Sequence, residues 1–292
     1  MIEEDIMEKY LEAGRIAREC RDYAAGRVKA GEKVLDVVVD AEQKILSMGG
    51  EIAFPLNISL NEAAAHDTAS PGDERVFRQG DVVKVDMGVH IDGYIADTAV
   101  TVDLGKNDLL VEASKAALQA AIDMVRPGVR TGEIGARVQA EIESRGYRPV
   151  ANLTGHGLGC YLLHGIPTIP SVGMPGGTVI EEGMVFAIEP FASTGTGMVS
   201  DSPRTEIYSQ VSSRQIRLPS ARKLMKKVSE RNGLPFSRHW YYEEKIDLAL
   251  AQLLKQNIVR GYPVLHDVPG SLVSQAEHTM IVTEDGCTVT TA

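Results

Sequence analysis

The feature that most constrains the fold of this chain is a weak internal repeat, with an offset of about 100 residues at its first two matches. Three short segments recur in the same order in the two halves of the sequence. The matched pairs are Val28-Lys29-Ala30-Gly31 with Val125-Arg126-Pro127-Gly128, Gly80–Asp86 with Gly183–Glu189, and Asp97–Val102 with Glu277–Val282. Three short matches in one order indicate a duplicated structural unit. The sequence therefore predicts two copies of one unit rather than two unrelated domains.

The periodicity of apolar residues gives each copy the same order, which is two helices followed by a strand hairpin. Helices are predicted over residues 3–29, 32–48, 108–125 and 132–145, and the second of these ends at Gly49-Gly50. A hairpin is predicted over 81–102, with its turn at Asp92-Gly93. Residues 55–80 are predicted to be irregular, and a strand is predicted over His278–Val282. This pattern is typical of a mixed α/β fold.

The second copy contains a long insertion. In the first copy the chain takes 11 steps from Asp86 to Asp97, whereas in the second it takes 88 steps from Glu189 to Glu277. The inserted stretch, residues 204–262, has a net charge of +7, although the whole chain has a net charge of -10. Such a charge asymmetry indicates a separate unit. We therefore predict one body from 1–203 and 263–292, and an insertion over 204–262 with helices at 219–232 and 242–257.

Composition excludes several classes of protein. A net charge of -10 argues against nucleic acid or an anionic membrane as the main partner of the body. No apolar run approaches the ~18 residues that a membrane span needs. The N-terminal residues MIEED lack the pattern of a signal peptide. The three cysteines are far apart in sequence, so they suggest neither disulfides nor a thiolate metal site. We expect a cytoplasmic protein.

Four carboxylates occupy matched positions in the two predicted hairpins, namely Asp86, Asp97, Glu189 and Glu277. Each lies in an apolar, strand-like context, where a charge is costly unless it is paired or coordinated. Two divalent cations would cancel the four charges, as in dinuclear hydrolases. The alternative is that each acid is an exposed residue at the end of a strand.

Three histidines are candidates for the same site. His156 lies within the glycine-rich stretch Asn152–Gly159, and a neutral imidazole commonly joins carboxylates as a metal ligand. His66 and His164 lie 98 residues apart, so the repeat would place them across one cleft, where imidazoles could polarise a peptide and move protons. They could instead be core histidines. His278 should point to the opposite face of its strand from Glu277.

These residues occur within longer motifs that together resemble methionine aminopeptidases, most of all the archaeal type II enzymes. The motifs are Ala53-Phe54-Pro55, Ser59–His66, Asp86–Ala99, Gly155–Gly159, Ile188–Phe191 and Glu277-His278-Thr279. The resemblance implies the pseudo-two-fold pita-bread fold. It also implies five metal ligands (Asp86, Asp97, His156, Glu189 and Glu277) and catalytic, substrate-binding roles for His66 and His164. By the same resemblance Phe54 and Leu163 would line the methionine pocket.

The implied reaction is removal of the N-terminal methionine of nascent proteins that have a small second residue, with Glu189 as the general base. The implied cofactors are two divalent ions, and Mn, Fe, Co and Zn all suit the donor set. Two alternatives stay open: an X-Pro peptidase of the same fold and a catalytically silent relative that acts as a binding module. The basic insertion could contact ribosomal RNA, or it could be a solvated helical face that walls the cleft. We expect a monomer.

Overall fold

The structure is a computed structural model that describes residues 2–242 and 245–292. Its α-helices are α1 (Glu4–Arg27), α2 (Val34–Ser47), α3 (Asp108–Ile122), α4 (Thr131–Ser144), α5 (Pro219–Val228) and α6 (Ile246–Lys255). Its strands are β1 (Glu51–Leu60), β2 (Ala63–Ala65), β3 (Val82–Ile91), β4 (Tyr94–Asp103), β5 (Arg148–Pro149), β6 (Thr154–Gly159), β7 (Leu162–Pro170), β8 (Val185–Ile188), β9 (Phe191–Ser193), β10 (Ser200–Gln210), β11 (Phe236–Ser237), β12 (Val259–His266), β13 (Val273–Gln275), β14 (His278–Val282) and β15 (Cys287–Val289). Short 3-10 helices cover Ser229–Arg231 and Arg238–Tyr241.

The duplicated unit is present. In the first copy α1 and α2 precede the antiparallel hairpin of β3 and β4. In the second copy α3 and α4 precede β8 and β14, which pair antiparallel with Thr279 opposite Ala187 although the insertion separates them in sequence. The mixed α/β architecture and the duplicated helix-helix-hairpin unit are therefore confirmed. The four helices of the body lie within three residues of their predicted bounds.

Each copy has its own apolar core between its helices and its sheet. In the first copy, Ile16 of α1 and Val37 of α2 pack with Val85 of β3. In the second copy, Val138 of α4 packs with Phe186 of β8. Residues three and four apart on each helix share a face, so each helix buries one apolar stripe and exposes most of its charges. Each core lies on one side of its own sheet, and the strands of the two halves contact each other at a separate place.

The two halves join along β4 and the segment that leads from β13 into β14. Ala99 and Glu277 form an antiparallel bridge, and each backbone N–H donates to the other carbonyl, at 3.3 and 3.0 Å. Two residues further along each strand, the Thr101 hydroxyl donates to the Gln275 carbonyl at 2.7 Å and accepts from the Gln275 N–H at 2.8 Å. This seam is buried, so its hydrogen bonds do not compete with water.

The prediction that residues 55–80 are irregular is wrong at its start, because β1 continues through Pro55 to Leu60 and β2 follows. Proline is tolerated here because β1 is an edge strand that pairs with β3 alone in the sheet β1-β3-β4. The register also shifts between Phe54 and Asn57, on either side of Pro55. A missing N–H at that point therefore breaks no ladder hydrogen bond.

The stretch proposed as an insertion folds around a separate apolar core, with Leu224 of α5, Leu250 of α6 and Phe236 of β11 among its members. It also contains strands: β10 and β12 pair antiparallel, and the predicted boundaries 204 and 262 fall inside them. β12 then pairs with β2 of the body. The predicted helix 242–257 includes residues 243 and 244, which lie outside the described residues. Within the part of the chain that the structure describes, no helix has the length and apolar character needed to cross a membrane.

Asp267 fixes the point where the chain returns from the insertion to the body. Its carboxylate accepts hydrogen bonds from the Ser193 and Thr196 hydroxyls at 2.6 and 2.5 Å and from backbone N–H groups, including that of Gly197 at 3.0 Å. Burial opposes ionisation, but the hydrogen bonds from Ser193 and Thr196 lower the pKa of Asp267 to about 2. The ionised carboxylate is therefore stabilised by folding.

We expect Asp267→Asn to lower the free energy of unfolding by about 1–3 kcal/mol at pH 7, because an amide cannot accept all of these hydrogen bonds. A carboxylate whose folded pKa is depressed contributes its stability above its unfolded pKa and loses it as the pH falls through the folded value. The difference between the variant and the parent should therefore shrink between about pH 4 and pH 2. This difference in the free energy of unfolding is measured by urea titration monitored by circular dichroism at each pH.

The exposed turn residue Asp285 provides the matched control for this experiment, since Asp285→Asn removes the same charge without a buried hydrogen-bond network. We expect its unfolding curve to match that of the parent at both pH values. An Asp267→Asn deficit that is equally large at neutral and acid pH would contradict the assignment of the stability to the ionised carboxylate.

Candidate metal centre

Four carboxylates and one imidazole line a single cavity of about 220 Å³ between the two halves. The sequence predicted this set, which consists of Asp86, Asp97, His156, Glu189 and Glu277, and the structure brings all five together. Three of them, Asp97, His156 and Glu277, offer ligand atoms that lie within 4.8 Å of one another. That spacing suits shared coordination of a cation. Their roles as ligands remain a prediction.

The positions of these side chains follow from the hairpins. Asp86 lies in β3 and Asp97 in β4, where they sit two register steps apart on paired strands. Glu189 directly follows β8 and Glu277 directly precedes β14, so the second hairpin presents its acids at the same end. His156 is in β6, which is bonded to β8 at Gly157. Strands therefore hold Asp86, Asp97 and His156, and Glu189 and Glu277 directly flank two paired strands.

One imidazole and one amide lie near the carboxylates of the cavity. His156 Nε2 lies 3.7 Å from Asp97 Oδ2 and 3.5 Å from Glu189 Oε1. Gln275 Nε2 lies 3.4 Å from both Asp86 Oδ2 and Glu277 Oε2, so one amide group spans the two carboxylates. The polar contacts within the cluster are thus few and long.

Burial is the main cause of the abnormal acidity of this cluster. It raises the pKa of Asp86 to about 7. It also raises the pKa values of Asp97, Glu189 and Glu277 well above their usual range, and the negative charge of neighbouring acids adds to the effect. Four carboxylates at this spacing cannot all ionise without a compensating positive charge. The protein on its own holds them partly protonated at neutral pH.

Two threonines fasten the carboxylate-bearing strands across the seam. The Thr279 hydroxyl accepts from the Asp97 N–H at 2.8 Å and donates to the Asp97 carbonyl at 2.9 Å. On the other side the Thr98 hydroxyl donates to the Glu277 carbonyl at 2.9 Å and accepts from Arg21 Nη1 at 2.8 Å. Each half therefore holds the backbone of an acid in the other half, which fixes both acids before any ligand binds.

His66 and His164 line the same cavity, as the repeat predicted. The rings of His164 and His156 meet edge to face with their centroids 4.6 Å apart. Burial lowers the pKa of His66, while burial and then the positive charges of His156, His66 and Arg260 lower the pKa of His164 to about 3. Both imidazoles are therefore neutral at pH 7, and each carries one N–H.

An ionic clamp holds the backbone next to His66, which has a left-handed conformation with φ of 65°. The adjacent carboxylate, Asp67, is buried and accepts from Arg75 Nη1 at 2.6 Å and from Arg204 Nε at 3.2 Å. On its other side, His66 Nδ1 lies 3.3 Å from the carbonyl oxygen of Pro263. Residues of the body and of the β10–β12 ribbon thus jointly fix this imidazole. The sequence did not indicate the clamp.

Phe54 and Leu163 also line the cavity, on its apolar side, where they pack with Leu158 and Leu234. The close approach of Phe54 requires a glycine opposite it, because a Cβ on Gly88 would lie 2.3 Å from the Phe54 ring. Their predicted location beside the acids is thus observed, and their role in binding methionine remains a prediction. His278 points away from the cavity and lies 2.8 Å from the Thr291 hydroxyl, as expected.

Sequence reasoning missed several side chains that complete the cavity. Ile207, Pro235 and Tyr262 reach it from the insertion, and Tyr262 presents its ring 5.5 Å from that of His66. Asn57 lies opposite Asp86 on the neighbouring strand. None of these has a sequence signal of its own, because an isolated aromatic, aliphatic or amide residue does not indicate a site until the fold places it in one.

Comparison with known proteins agrees with this geometry. A model described as metallopeptidase family M24 matches residues 8–284. The chain is 46% identical over 291 residues to a methionine aminopeptidase of Archaeoglobus fulgidus, and the match covers 99% of this chain and 100% of that protein.

Two solved structures resemble the whole chain. A methionine aminopeptidase from Thermotoga maritima has a TM-score of 0.74 at 25% identity, with 99% of this chain and 98% of that chain covered. A thermophilic Arx1 has a TM-score of 0.88 at 18% identity, with 99% and 91% covered, and at that identity it shows the fold alone. The pita-bread fold is thereby confirmed, and the chain belongs to metallopeptidase family M24.

Proposed function

We propose that this chain is a metal-dependent aminopeptidase that removes the N-terminal methionine from nascent proteins. The observation that carries the proposal is the set of four buried carboxylates and His156 around one cavity whose other wall is apolar. The proposal is supported by curated relatives of nearly equal length that are named methionine aminopeptidase. A small second residue in the substrate is part of the proposal.

The residues present fit two divalent cations. Asp86 Oδ1 and Asp97 Oδ1 are buried and have no hydrogen-bond partner, although acceptors in a protein interior are normally satisfied. Following the family resemblance, Asp86, Asp97, His156, Glu189 and Glu277 would hold the two ions. An oxygen-rich site with one imidazole suits Mn, Fe, Co or Zn. When bound, such ions lower the pKa of a water molecule and polarise the peptide carbonyl.

The residues of the chain then have distinct tasks. Glu189, which faces the cavity, would accept the proton of the attacking water as the general base. His164, which is neutral, would donate an N–H to the developing oxyanion. His66, whose Nδ1–H faces the Pro263 carbonyl, would present Nε2 as an acceptor to an N–H of the substrate. Phe54 and Leu163 would receive the methionine side chain. Each task uses a group that already faces the cavity.

The alternatives have less support. An X-Pro peptidase of the same fold would use similar ligands, but the relatives at 45–46% identity carry the name methionine aminopeptidase. A silent binding relative would be expected to lose ligands, whereas the five candidates all line the cavity. A monomeric enzyme is part of the proposal. A cytoplasmic location follows from nascent proteins as the substrate and remains part of the proposal.

We expect the purified protein to release methionine from Met-Ala-Ser in the presence of at least one of Mn, Fe, Co or Zn. Chelator should abolish release, and Glu277→Gln should lower kcat by roughly 100-fold or more, because it removes one of the negative charges that would hold the ions. Chromatographic detection of free methionine measures both effects.

Glu284→Gln is the matched control for this variant, since Glu284 is exposed in a turn close to β14. It should retain parental activity. If none of the four metals supports release by the parent protein, the aminopeptidase proposal fails.

The abnormal pKa values predict how pH and metal affect stability. A carboxyl group whose folded pKa is raised stabilises the folded state while it is protonated, and that contribution is lost as the pH rises above its unfolded pKa towards its folded one. The melting temperature of the chelated protein should therefore fall between pH 5 and pH 8, at roughly 2–4 °C per kcal/mol. Added Mn²⁺ should raise the melting temperature more at pH 8 than at pH 5.

Asp86→Asn separates this effect from other titrations, because an amide mimics the protonated acid at every pH. The chelated variant should show a shallower decline than the parent. Equal slopes for the two proteins would contradict a raised pKa for Asp86.

We also propose contact of the insertion with ribosomal RNA, on the evidence of one basic helix face. On α5 the buried side chains Ala221, Leu224, Met225 and Val228 face the core, and the exposed ones are Arg222, Lys223, Lys226 and Lys227. Four exposed cations on one face suit a polyphosphate backbone, and such binding weakens steeply with salt. The same insertion walls the cleft through Ile207 and Tyr262, so the two interpretations do not exclude each other.

Changing the four cations of α5 to glutamine should abolish salt-sensitive co-sedimentation with ribosomes while methionine release is unchanged. The matched control changes four exposed lysines of the body, which are Lys29, Lys33, Lys106 and Lys115. If the α5 variant still co-sediments as the parent does, the insertion does not carry the contact.

A further inference from the structure

Asn57 is a buried polar residue of the cavity to which the proposed mechanism assigns no task. Asn57 lies in β1, directly opposite Asp86 of β3, and only 4% of its surface is exposed. Residues directly opposite each other in an antiparallel pair project to the same side of the sheet, with Cβ atoms about 4.5–5.5 Å apart. Both side chains line the cavity. Asn57 is thus a neighbour of a predicted metal ligand without being one.

The orientation of the Asn57 amide is fixed by its own strand. Nδ2 donates to the Pro55 carbonyl oxygen at 2.8 Å. A carbonyl oxygen only accepts hydrogen bonds, so the amide atom facing it must be the nitrogen, which carries the protons. The amide oxygen therefore points elsewhere. Oδ1 is buried and has no hydrogen-bond partner, and the same is true of Asp86 Oδ1. A carboxylate has about four acceptor sites, so Asp86 can hold a cation and still accept a hydrogen bond. Asp86 and Asn57 Oδ1 together thus offer two acceptors on neighbouring strands to a ligand of the cavity.

The chemistry of the substrate limits which of its groups can satisfy Asn57. An acceptor needs a donor, and a methionine side chain has none, since its thioether is only a weak acceptor. A group with two or more N–H bonds can reach two acceptors at once. At the end of a peptide that group is the free α-amino group, which interior residues lack.

We propose that Asn57 Oδ1, together with Asp86, binds the α-amino group of the first residue of the substrate. This inference rests on the proposed aminopeptidase function and deepens it, because it names a residue that restricts cleavage to a free N-terminus. An acylated terminus keeps one N–H and adds bulk, so it would leave one of the two acceptors unsatisfied. Asn57 therefore contributes to specificity through substrate binding and takes no part in moving protons.

The test compares two ligands that differ only in the amine. Calorimetry with Mn²⁺-loaded protein gives the Kd of L-methioninamide and of 4-(methylsulfanyl)butanamide, which lacks the amino group. Asn57→Leu keeps the approximate volume of the side chain and removes the acceptor. We expect it to weaken binding of methioninamide by roughly 10- to 100-fold and binding of the des-amino amide by less than about three-fold.

Two further measurements exclude indirect effects. Ser59→Ala, two residues further along β1, is the control for disturbance of the strand and should leave the ratio of the two Kd values at its parental level. Mn²⁺ affinity, titrated alone, should be nearly the same in Asn57→Leu and the parent. A large loss of Mn²⁺ affinity would make Asn57 a support of the metal site and would overturn the inference.

The outcomes separate this inference from the proposed function. If the parent releases methionine from Met-Ala-Ser but Asn57→Leu weakens both ligands equally, or neither, the inference about Asn57 is wrong and the aminopeptidase remains. If the parent releases no methionine and binds neither ligand, both fail. Only a selective loss of the amine-bearing ligand supports the assignment.

Discussion

Four carboxylates share one buried cavity in this chain, and the free energy of keeping them there shapes much of the surrounding structure. Burial and mutual repulsion raise their pKa values, so the metal-free cluster is partly protonated at neutral pH. Such a cluster would be relieved most simply if the acids moved apart. Strands that pair on both sides prevent that movement, since β3 lies between β1 and β4 and β8 between β14 and β6. The fold thus keeps the acids close together, and binding of cations would relieve their mutual repulsion.

The seam between the halves also holds the acids in place. Thr98 and Thr279 each hold the backbone of an acid that belongs to the other half, and the Ala99–Glu277 bridge sets the distance between the two strands. Hydrogen bonds to backbone leave the carboxylate oxygens themselves unoccupied. This division of labour is what a preorganised metal site requires, because ligands that need not rearrange lose little free energy on binding. Arg21 extends the support to α1 through Thr98.

Much of the fold and of the candidate site could be predicted from the sequence, because both depend on a repeat. The matched positions of Asp86, Asp97, Glu189 and Glu277 in the two copies predict that these acids share one location, and the β8–β14 pairing agrees with it. What could not be predicted depends on contacts between residues without a pattern. β1 was missed because Pro55 normally argues against a strand, and only its edge position removes the objection.

Asn57 shows the same limit at the site. In the sequence it is one amide in an apolar run, and its unsatisfied oxygen exists only because Pro55 turns the amide and Asp86 lies opposite. Tyr262 reaches the cavity by strand pairing between β10 and β12, which no local signal encodes. Side chains that a fold recruits singly are therefore invisible to pattern analysis, whereas side chains that it recruits by symmetry are not.

The pairing of β8 with β14 has a consequence for the order of folding. These strands are neighbours in space, but the whole β10–β12 ribbon and both of its helices lie between them in the chain. The entropy of closing such a loop grows only slowly with its length, so a compact insertion does little harm to the stability of the pair. It does delay the contact, because non-local strands pair late. A growing chain thus has both acids of its first hairpin well before Glu277 is made, and it is unable to assemble all five candidate ligands until Glu277 has been added.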